Sequence, residues 1–386
     1  MAGILVSCQH LDTAHHRPPL PGAERTQLVH NALAGKRVGL IVNQSSRVRD
    51  VHLIDALHRD GINAVKLFAV EHGIRGHQDA GVHIDNNRDA RSGLPIISIY
   101  GTKKAPSEHD VKNLDVLVFD LQDVGVRFFT YLSSLHYIMQ SCADNDIPLV
   151  VLDRPNPNGA YIDGPLLDPQ FQSFVGMHPI PVLHGMTMGE LARMINGEGW
   201  LNGEKTCDLS VIPIQNYTHT TPYILPIKPS PNLPNQKSIE LYPSLALFEA
   251  TNMSVGRGTP FPFQVVGGTH PGYGPFSFTP LSTPGAALNP KLKGQKLYGQ
   301  DYRNAQITGL NIELFLSWYA KAERLHQAFL TRPNWLDKLM GGSKFREQVE
   351  AGISEKAIRA SWEDGLAAFK KRRALYLLYP DTQPSR

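Results

Sequence analysis

The chain has 386 residues, of which 19% are charged and 41% are hydrophobic, and its formal net charge at pH 7 is +3. This length exceeds what one hydrophobic core usually fills, so we expect two domains. The small, scattered positive charge argues against nucleic acid as a partner, and no apolar run approaches the roughly 18 residues of a membrane span. The three cysteines, Cys8, Cys142 and Cys207, are too few for a disulfide framework and lack metal-ligand spacing.

Residues 1–23 are interpreted as a leader that packs on the first domain. The sequence Leu-Val-Ser-Cys at 5–8 resembles a bacterial lipobox, in which the cysteine becomes lipidated. The segment before Cys8 is short and carries no basic region, so it is not a complete signal peptide. Two interpretations stay open: a lipoprotein of the cell envelope or periplasm whose true start lies upstream, and a cytoplasmic protein as the sequence is written.

From residue 37 to about 200, short β-branched runs alternate with helical patterns. Strands are predicted at 38–42, 64–70, 116–119 and 149–152, and helices at 51–58, at 131–142 and from Thr187 onward. The Thr187 helix is predicted from a capping box, because Glu190 follows three residues after the threonine. The alternation predicts an α/β fold, with a Rossmann-like parallel sheet covered by helices on both faces over residues 24–228.

Proline and glycine become frequent between about residues 213 and 300. Six closely spaced prolines lie in its first part, at 213, 222, 226, 229, 231 and 234. Proline restricts φ and removes a hydrogen-bond donor, so we predict loops here, and long loops in compact proteins are usually functional. Helical periodicity returns at 312–319 and 354–376. Residues 229–386 are therefore predicted to form a smaller α+β C-terminal domain that contributes to the cleft.

Three common motifs are absent from the sequence. There is no G-x-G-x-x-G after the first strand and no G-x-x-x-x-G-K-[ST] loop, so nucleotide binding has little support. The serine elbow G-x-S-x-G is also missing, since Asn252 stands two residues before Ser254 where a glycine is required. We expect no cofactor.

Each predicted strand ends in polar residues. They are Asn43 after the first strand, Glu71, His72 and Arg75 after the second, Asp120, Gln122, Asp123 and Arg127 after the third, and Asp153 after the fourth. Ligands of open parallel sheets bind outside the carboxyl ends of the strands. These residues are therefore predicted to line one polar crevice.

The segment Glu-His-Gly-Ile-Arg-Gly-His at 71–77 is the sharpest local signal. A carboxylate beside two imidazoles and a guanidinium suits general acid and base chemistry on a polar ligand. The alternative is a loop in which Glu71 forms a structural ion pair with Arg75. His72 and His77 stand five residues apart without the H-E-x-x-H pattern, so we expect no metal.

Two further segments offer binding groups. Asp120, Asp123 and Arg127 could position hydroxyls or an anion, although carboxylates also occur at helix N-termini for electrostatic reasons alone. In the C-terminal part, an acid, an amide and a cation fall within nine residues as Glu249, Asn252 and Arg257.

Together these segments resemble the exo-β-N-acetylmuramidases of the NamZ type, a bacterial family once grouped as a domain of unknown function. The resemblance rests on EHGIRG at 71–76, DLQDVGVRFFTY at 120–131, LDRPNPNG at 152–159, the stretch 164–192, SPNLP at 230–234, LFEATNMSVGRGTPFPF at 247–263 and the closing segment 361–379. These blocks run from about residue 37 to 379, which is nearly the whole chain.

The resemblance implies release of N-acetylmuramic acid from the non-reducing end of peptidoglycan fragments during cell-wall recycling. It makes Glu71 the candidate acid or base, with His72 beside it. Glycosidases commonly use a second carboxylate as base or nucleophile, and Asp120, Asp123, Asp153 and Glu249 are the candidates for it, unless the substrate's own acetamido group attacks. Candidate substrate-binding residues are Asn43, Arg75, Gln122, Arg127, Tyr131, Asp153, His184, Asn232, Glu249, Asn252 and Arg257. The lactyl carboxylate of muramic acid is expected to face Arg75, with Arg127 and Arg257 as alternatives.

Two rival functions stay open. One is an esterase or amidase that uses Ser254 with His184 or His72. The other is a non-catalytic protein that binds muropeptides in the same crevice. The sequence makes no prediction about oligomeric state.

Overall fold

The protein is described from a computed structural model that covers residues 17–71, 73–75 and 87–381. The predicted residues Cys8, His72 and His77 lie outside these ranges. None of the helices within them is long and apolar enough to cross a membrane.

The N-terminal domain is built from strands and helices that alternate along the chain. Its strands are β1 (Val38–Val42), β2 (Arg47–Val48), β3 (Val51–His52), β4 (Ala64–Ala69), β5 (Asn87–Arg88), β6 (Pro95–Ser98), β7 (Val116–Asp120), β8 (Leu149–Leu152), β9 (Ile162–Asp163), β10 (Leu183–His184) and β11 (Leu209–Ile212). Its helices are α1 (Thr26–Leu33), α2 (Leu53–Arg59), α3 (Glu108–Val111), α4 (Tyr131–Asp144) and α5 (Met188–Gly197). All four predicted strands are confirmed, and the helices predicted at 51–58, at 131–142 and from Thr187 correspond to α2, α4 and α5.

The central sheet has seven strands in the order β11-β8-β7-β1-β4-β6-β5. Neighbours from β11 to β6 pair in parallel, and β5 pairs antiparallel with β6. The chain moves outward from β1 to β4 and β6 and then returns to β7 on the other side of β1. The strand order therefore reverses between β1 and β7, which is the position where such sheets bind ligands.

Both faces of the sheet are covered, because alternate side chains of each strand enter different cores. Leu117 and Phe119 of β7 pack in the core that contains α4 and α5. Val116 and Val118 of the same strand pack in the core that contains α1 and α2. A strand buried on both faces needs a continuous apolar run, which explains why the sequence pattern located these strands.

The helix start at Thr187 forms the predicted capping box. The Thr187 hydroxyl accepts a hydrogen bond from the Glu190 amide, and the Glu190 carboxylate accepts one from the Thr187 amide. This reciprocal pair satisfies amide donors that the first turn of a helix leaves free.

The C-terminal domain combines helices with a small antiparallel sheet in the order β12-β14-β13. Its elements are α6 (Gln236–Leu245), β12 (Val265–Gly268), β13 (Phe276–Phe278), β14 (Leu297–Asp301), α7 (Ile312–Arg324), α8 (Pro333–Met340), α9 (Lys344–Glu350), α10 (Glu355–Ala360) and α11 (Glu363–Arg373). The predicted α/β fold with a smaller α+β domain is confirmed. The predicted domain limits, 24–228 and 229–386, stay a prediction.

The prediction of loops between 213 and 300 is correct for the six prolines and wrong for much of the segment after them. Residues 236–245 form α6 with Pro243 inside it, and three strands lie between 265 and 301. Three of the glycines here, Gly267, Gly268 and Gly299, belong to strands that approach one another closely: a Cβ on Gly299 would lie 1.8 Å from the carbonyl oxygen of Val266. The glycine content thus reflects strand packing and not turns alone.

The helical pattern predicted at 354–376 is divided into α10 and α11. The helix breaks at Ser361 and Trp362, and the Trp362 side chain is buried in the main core.

Candidate active site

A cavity of about 440 Å³ lies where the two domains meet, beyond the carboxyl ends of β4 and β7. The N-terminal domain contributes Glu71, Tyr100 and residues 128–131 to its wall. The chain from residue 232 onward contributes Asn232, Tyr242, Glu249, Arg257, Trp335 and Lys338, among others. This volume is in the range of small-ligand sites.

Glu71 lies two residues beyond the end of β4 and reaches the cavity. Its Oε1 accepts a 2.8 Å hydrogen bond from the Tyr100 hydroxyl, and its Oε2 accepts one of 2.8 Å from Thr130 Oγ1. Each carboxyl oxygen is therefore held in place by one hydroxyl group. No cationic side chain of residues 17–71, 73–75 or 87–381 forms a salt bridge with Glu71, so the carboxylate is oriented by neutral donors.

Glu249 and Arg257 form an ion pair within the cavity wall. Arg257 Nε lies 2.7 Å from Glu249 Oε1, and the guanidinium stacks 4.8 Å from the centre of the Phe263 ring. Burial opposes the charge of Arg257, but the neighbouring carboxylate outweighs it and raises the pKa of the guanidinium. The two opposite charges largely compensate each other.

Asp123 lies behind the cavity wall and is buried. Its Oδ1 accepts a 2.6 Å hydrogen bond from the Gly125 amide, while its Oδ2 has no partner among the described residues. Burial raises the pKa of Asp123 to about 7. Burial also raises the pKa values of Tyr131 and Tyr242, and the negative charge of Asp123 adds to both shifts, so this carboxyl is near two phenols that line the cavity.

Asn43 supports the wall from behind. Its Nδ2 donates a 2.7 Å hydrogen bond to the Tyr131 hydroxyl, and its Oδ1 accepts one of 2.9 Å from the Ser45 amide. The Tyr131 hydroxyl in turn donates to the carbonyl of Pro229. Asn43 therefore positions a cavity residue and is not itself part of the surface.

Of the predicted site residues, five line the cavity: Glu71, Tyr131, Asn232, Glu249 and Arg257. His72 lies outside the described residues. The remaining residues lie elsewhere.

Asp120 ends β7 but points into a buried ion pair with Arg154. Arg154 Nε and Nη2 donate to the two carboxylate oxygens at 2.6 and 2.8 Å, and both side chains are almost completely buried. Because the Asp120 carboxylate is paired through both oxygens and is completely buried, the geometry corresponds to a structural pair.

Arg127 is buried and binds backbone carbonyls. Its guanidinium donates to Pro165, Ile180 and Leu339, and the last of these bonds joins the two domains. Gln122 donates to the carbonyls of Asp123 and Pro155. These two side chains hold chain segments together and do not reach the cavity.

Asp153 belongs to a closed network at the end of β8. Its carboxylate accepts hydrogen bonds from the Thr187 hydroxyl, the Gly189 amide and the Tyr379 hydroxyl, at 2.7, 2.8 and 2.6 Å. The network attaches the C-terminal end of the described chain to the N-terminal domain. Burial raises the pKa of Asp153 to about 6.

His184, Asn252 and Arg75 also lie away from the cavity wall. His184 Nδ1 accepts from the Met186 amide, and burial lowers its pKa to about 3. Asn252 donates to the carbonyl of Ala328. Arg75 donates two hydrogen bonds to Asp89, at 2.9 and 2.8 Å, so the alternative ion pair with Glu71 is not formed.

Several cavity residues were not predicted from the sequence. Tyr100, Thr130, Tyr242, Trp335 and Lys338 belong to this group. Thr130 stands inside the motif at 120–131 and could have been found there, whereas Trp335 and Lys338 lie on a helix of the other domain and carry no local signal.

No group of three or more histidine, cysteine, aspartate or glutamate side chains that could hold a metal ion occurs within the ranges given above. Likewise, no hydrogen bond joins Ser254 to a described histidine; its Oγ accepts from the Gly256 amide.

Two family models match consecutive parts of the chain. The model described as exo-beta-N-acetylmuramidase NamZ, N-terminal, matches residues 38–237, and the corresponding C-terminal model matches residues 240–379. The peptidoglycan beta-N-acetylmuramidase NamZ of Bacillus subtilis (strain 168) is 36% identical over 385 residues, covering 90% of this chain and 88% of that protein.

Two crystal structures of DUF1343 family proteins from Bacteroides fragilis NCTC 9343 share this architecture. One is 40% identical with a TM-score of 0.84, covering 95% of this chain and 100% of the other. The second is 29% identical with a TM-score of 0.79, covering 94% and 99%. With both family models matched in order along the chain, this protein belongs to the exo-β-N-acetylmuramidase NamZ family.

Proposed function

We propose that this protein is a glycoside hydrolase that releases N-acetylmuramic acid from the non-reducing end of peptidoglycan fragments. Family membership and the peptidoglycan β-N-acetylmuramidase of Bacillus subtilis support this assignment. The structural observation that carries it is Glu71, a carboxylate that lines the cavity, is held by two hydroxyl groups and forms no salt bridge with a described residue.

Glu71 is the group that we assign to proton transfer at the glycosidic oxygen. Glycosidases commonly place one carboxyl group there and use a second as base or nucleophile. Glu249 is compensated by Arg257, and Asp120 by Arg154, so neither is as available as Glu71.

Asp123 is our candidate for the second carboxyl. It is close to the cavity wall, has one oxygen without a described partner, and has a pKa near 7, so both protonation states are populated at neutral pH. Assistance by the 2-acetamido group of the substrate is the other route to the same product. His72 stays a proposed neighbour of Glu71, on the basis of the motif alone.

Because the proposed substrate is a cell-wall fragment, we also propose the cell envelope or periplasm as the place of action, with the cytoplasm as the alternative. Fractionation of cells that express the full-length gene, followed by detection of the protein in each fraction, tests this.

The decisive experiment is incubation of the purified protein with a chromogenic β-N-acetylmuramide and, separately, with the matching β-N-acetylglucosaminide. We expect saturable release of the chromophore from the muramide. Saturable binding without turnover would indicate a muropeptide-binding protein instead. Loss of hydrolysis after treatment with a serine-directed covalent inhibitor would support the esterase or amidase alternative.

A further inference from the structure

Four charged side chains of the described residues line the cavity: Glu71, Glu249, Arg257 and Lys338. Glu249 and Arg257 pair with each other, which leaves Glu71 on the N-terminal wall and Lys338 on the C-terminal wall. The Lys338 ammonium forms no salt bridge and no hydrogen bond with any residue in the described part of the chain. Within that part, the cavity therefore offers one free cation to a ligand, opposite in sign to the candidate catalytic carboxylate.

Lys338 is presented by helix α8 together with Trp335, three residues earlier. Side chains at this spacing are neighbours on one helix face, and both line the cavity. The helix is anchored by Leu336, Leu339 and Met340, which are buried in the main core. The face that carries Trp335 and Lys338 is therefore held rigidly against the cavity.

The indole of Trp335 is a second, independent indication of a ligand. Its Nε1 is buried and has no hydrogen-bond partner among the described residues. A buried N–H group without an acceptor is costly, and most such groups in folded proteins are satisfied. An acceptor bound in the cavity beside Lys338 would satisfy it.

We propose that Lys338 and Trp335 form the subsite for the lactyl carboxylate of N-acetylmuramic acid. The ammonium pairs with the carboxylate, and the indole N–H donates a hydrogen bond to it. The proposal rests on the proposed function, since N-acetylglucosamine has no such carboxylate. It also replaces the expectation that Arg75 or Arg127 binds the lactyl carboxylate, because neither arginine lines the cavity and both already donate hydrogen bonds to other groups.

The charge arrangement favours this assignment. The lactyl ether and the scissile bond leave the same sugar ring, so the bound substrate brings a negative charge near Glu71. An unpaired carboxylate there would be repelled by Glu71, whereas Lys338 compensates it. Lys338 is exposed in the ligand-free protein, so its ion pair gains strength only when the sugar excludes water from the cavity.

The test measures binding of two ligands by titration calorimetry: N-acetylmuramic acid and its lactyl amide, which has the same shape without the charge. We expect the wild-type protein to bind the acid about tenfold more tightly than the amide, and the Lys338→Met variant to bind both equally. Lys338→Arg should keep the preference. Trp335→Phe, which retains a ring but removes the donor, should weaken binding of N-acetylmuramic acid by roughly two- to tenfold.

The matched control is Lys344→Met, which removes an exposed lysine of the same domain that does not line the cavity. It should bind like the wild type. Thermal unfolding of every variant shows whether it is folded. If Lys338→Met does not fold, Lys338→Arg and the acid-to-amide ratio of the wild type decide the question.

The proposal is overturned if the wild type binds acid and amide equally, or if folded Lys338→Met keeps the preference. Turnover of the chromogenic muramide is measured in parallel with the wild type. Preferential binding of the acid without turnover would leave the subsite intact and contradict the proposed function, so the two failures are distinguishable.

Discussion

The Tyr100 hydroxyl donates a 2.8 Å hydrogen bond to Glu71 Oε1, and this bond joins the ends of two neighbouring strands, β4 and β6. Thr130, at the start of α4, donates to the other oxygen. Three elements of the N-terminal domain thus fix one carboxylate at the cavity. A fixed carboxyl can transfer a proton without first losing conformational freedom.

Replacing Glu71 by glutamine is expected to remove proton transfer while leaving the cavity intact. Loss of a positioned acid or base typically lowers the rate by ~10² to 10⁴. For Glu71→Gln we therefore predict a fall of this size in kcat on the chromogenic muramide, with N-acetylmuramic acid still bound.

The control for this variant is Glu313→Gln, which changes an exposed glutamate on α7 that does not line the cavity. It should retain wild-type kcat. Near-normal turnover by folded Glu71→Gln would remove Glu71 from the proposed role.

Asp123 is predicted to make stability fall as the pH rises. Burial raises its pKa in the folded protein to about 7, whereas an aspartate in an unfolded chain titrates near ~3.9. Between these values the folded state holds a proton that the unfolded state has lost, so the free energy of unfolding decreases across roughly pH 4 to 7. At about 1.36 kcal/mol per pKa unit, the decrease is at most about 4 kcal/mol.

Asp123→Asn removes this titration. We predict that the free energy of unfolding of the variant, minus that of the wild type, is larger at pH 8 than at pH 4.5. Urea unfolding at both pH values measures this difference. Asp153 also has a raised pKa, but it is present in both proteins and cancels in the comparison. The same pH dependence in the two proteins would refute the assignment.

Asp120 is predicted to stabilise the fold and to take no direct part in the reaction. Asp120→Asn leaves the buried Arg154 guanidinium without its carboxylate. Breaking a buried ion pair in this way typically costs about 3 to 5 kcal/mol, and we expect the free energy of unfolding to fall by about this amount. Urea unfolding measures the loss. The double variant Asp120→Leu with Arg154→Met removes both charges and should recover part of it.

If Asp120→Asn abolishes turnover with the free energy of unfolding unchanged, Asp120 participates in the reaction directly and the structural assignment is wrong.

Arg75 is predicted not to determine substrate preference. Its guanidinium is bound to Asp89 and lies within 3.8 Å of Asp55. Arg75→Ala should therefore lower stability and leave the ratio of affinities for N-acetylmuramic acid and its lactyl amide as in the wild type. If Arg75→Ala loses the preference for N-acetylmuramic acid and Lys338→Met keeps it, Arg75 is the residue that binds the lactyl carboxylate.

The strands, the capping box and Glu71 could be predicted from the sequence, because each is specified by a few consecutive residues. The strand β1 is a continuous apolar run because both of its faces are buried, and the capping box at Thr187 and Glu190 lies within one helical turn. Glu71 was also identified, since its strand ends two residues earlier and the carboxyl ends of parallel strands share one edge.

Only the tertiary structure decided which strand-end side chains face the cavity. Asp120 is held away from the cavity by its ion pair with Arg154, 34 residues later in the sequence. Arg127 is held away from it by a hydrogen bond to a carbonyl 212 residues later in the sequence. Conversely, Lys338 reads in the sequence as an ordinary exposed lysine on an amphipathic helix. Its place in the site follows from the packing of α8 beside the sheet, and such long-range proximity leaves no pattern in the neighbouring residues.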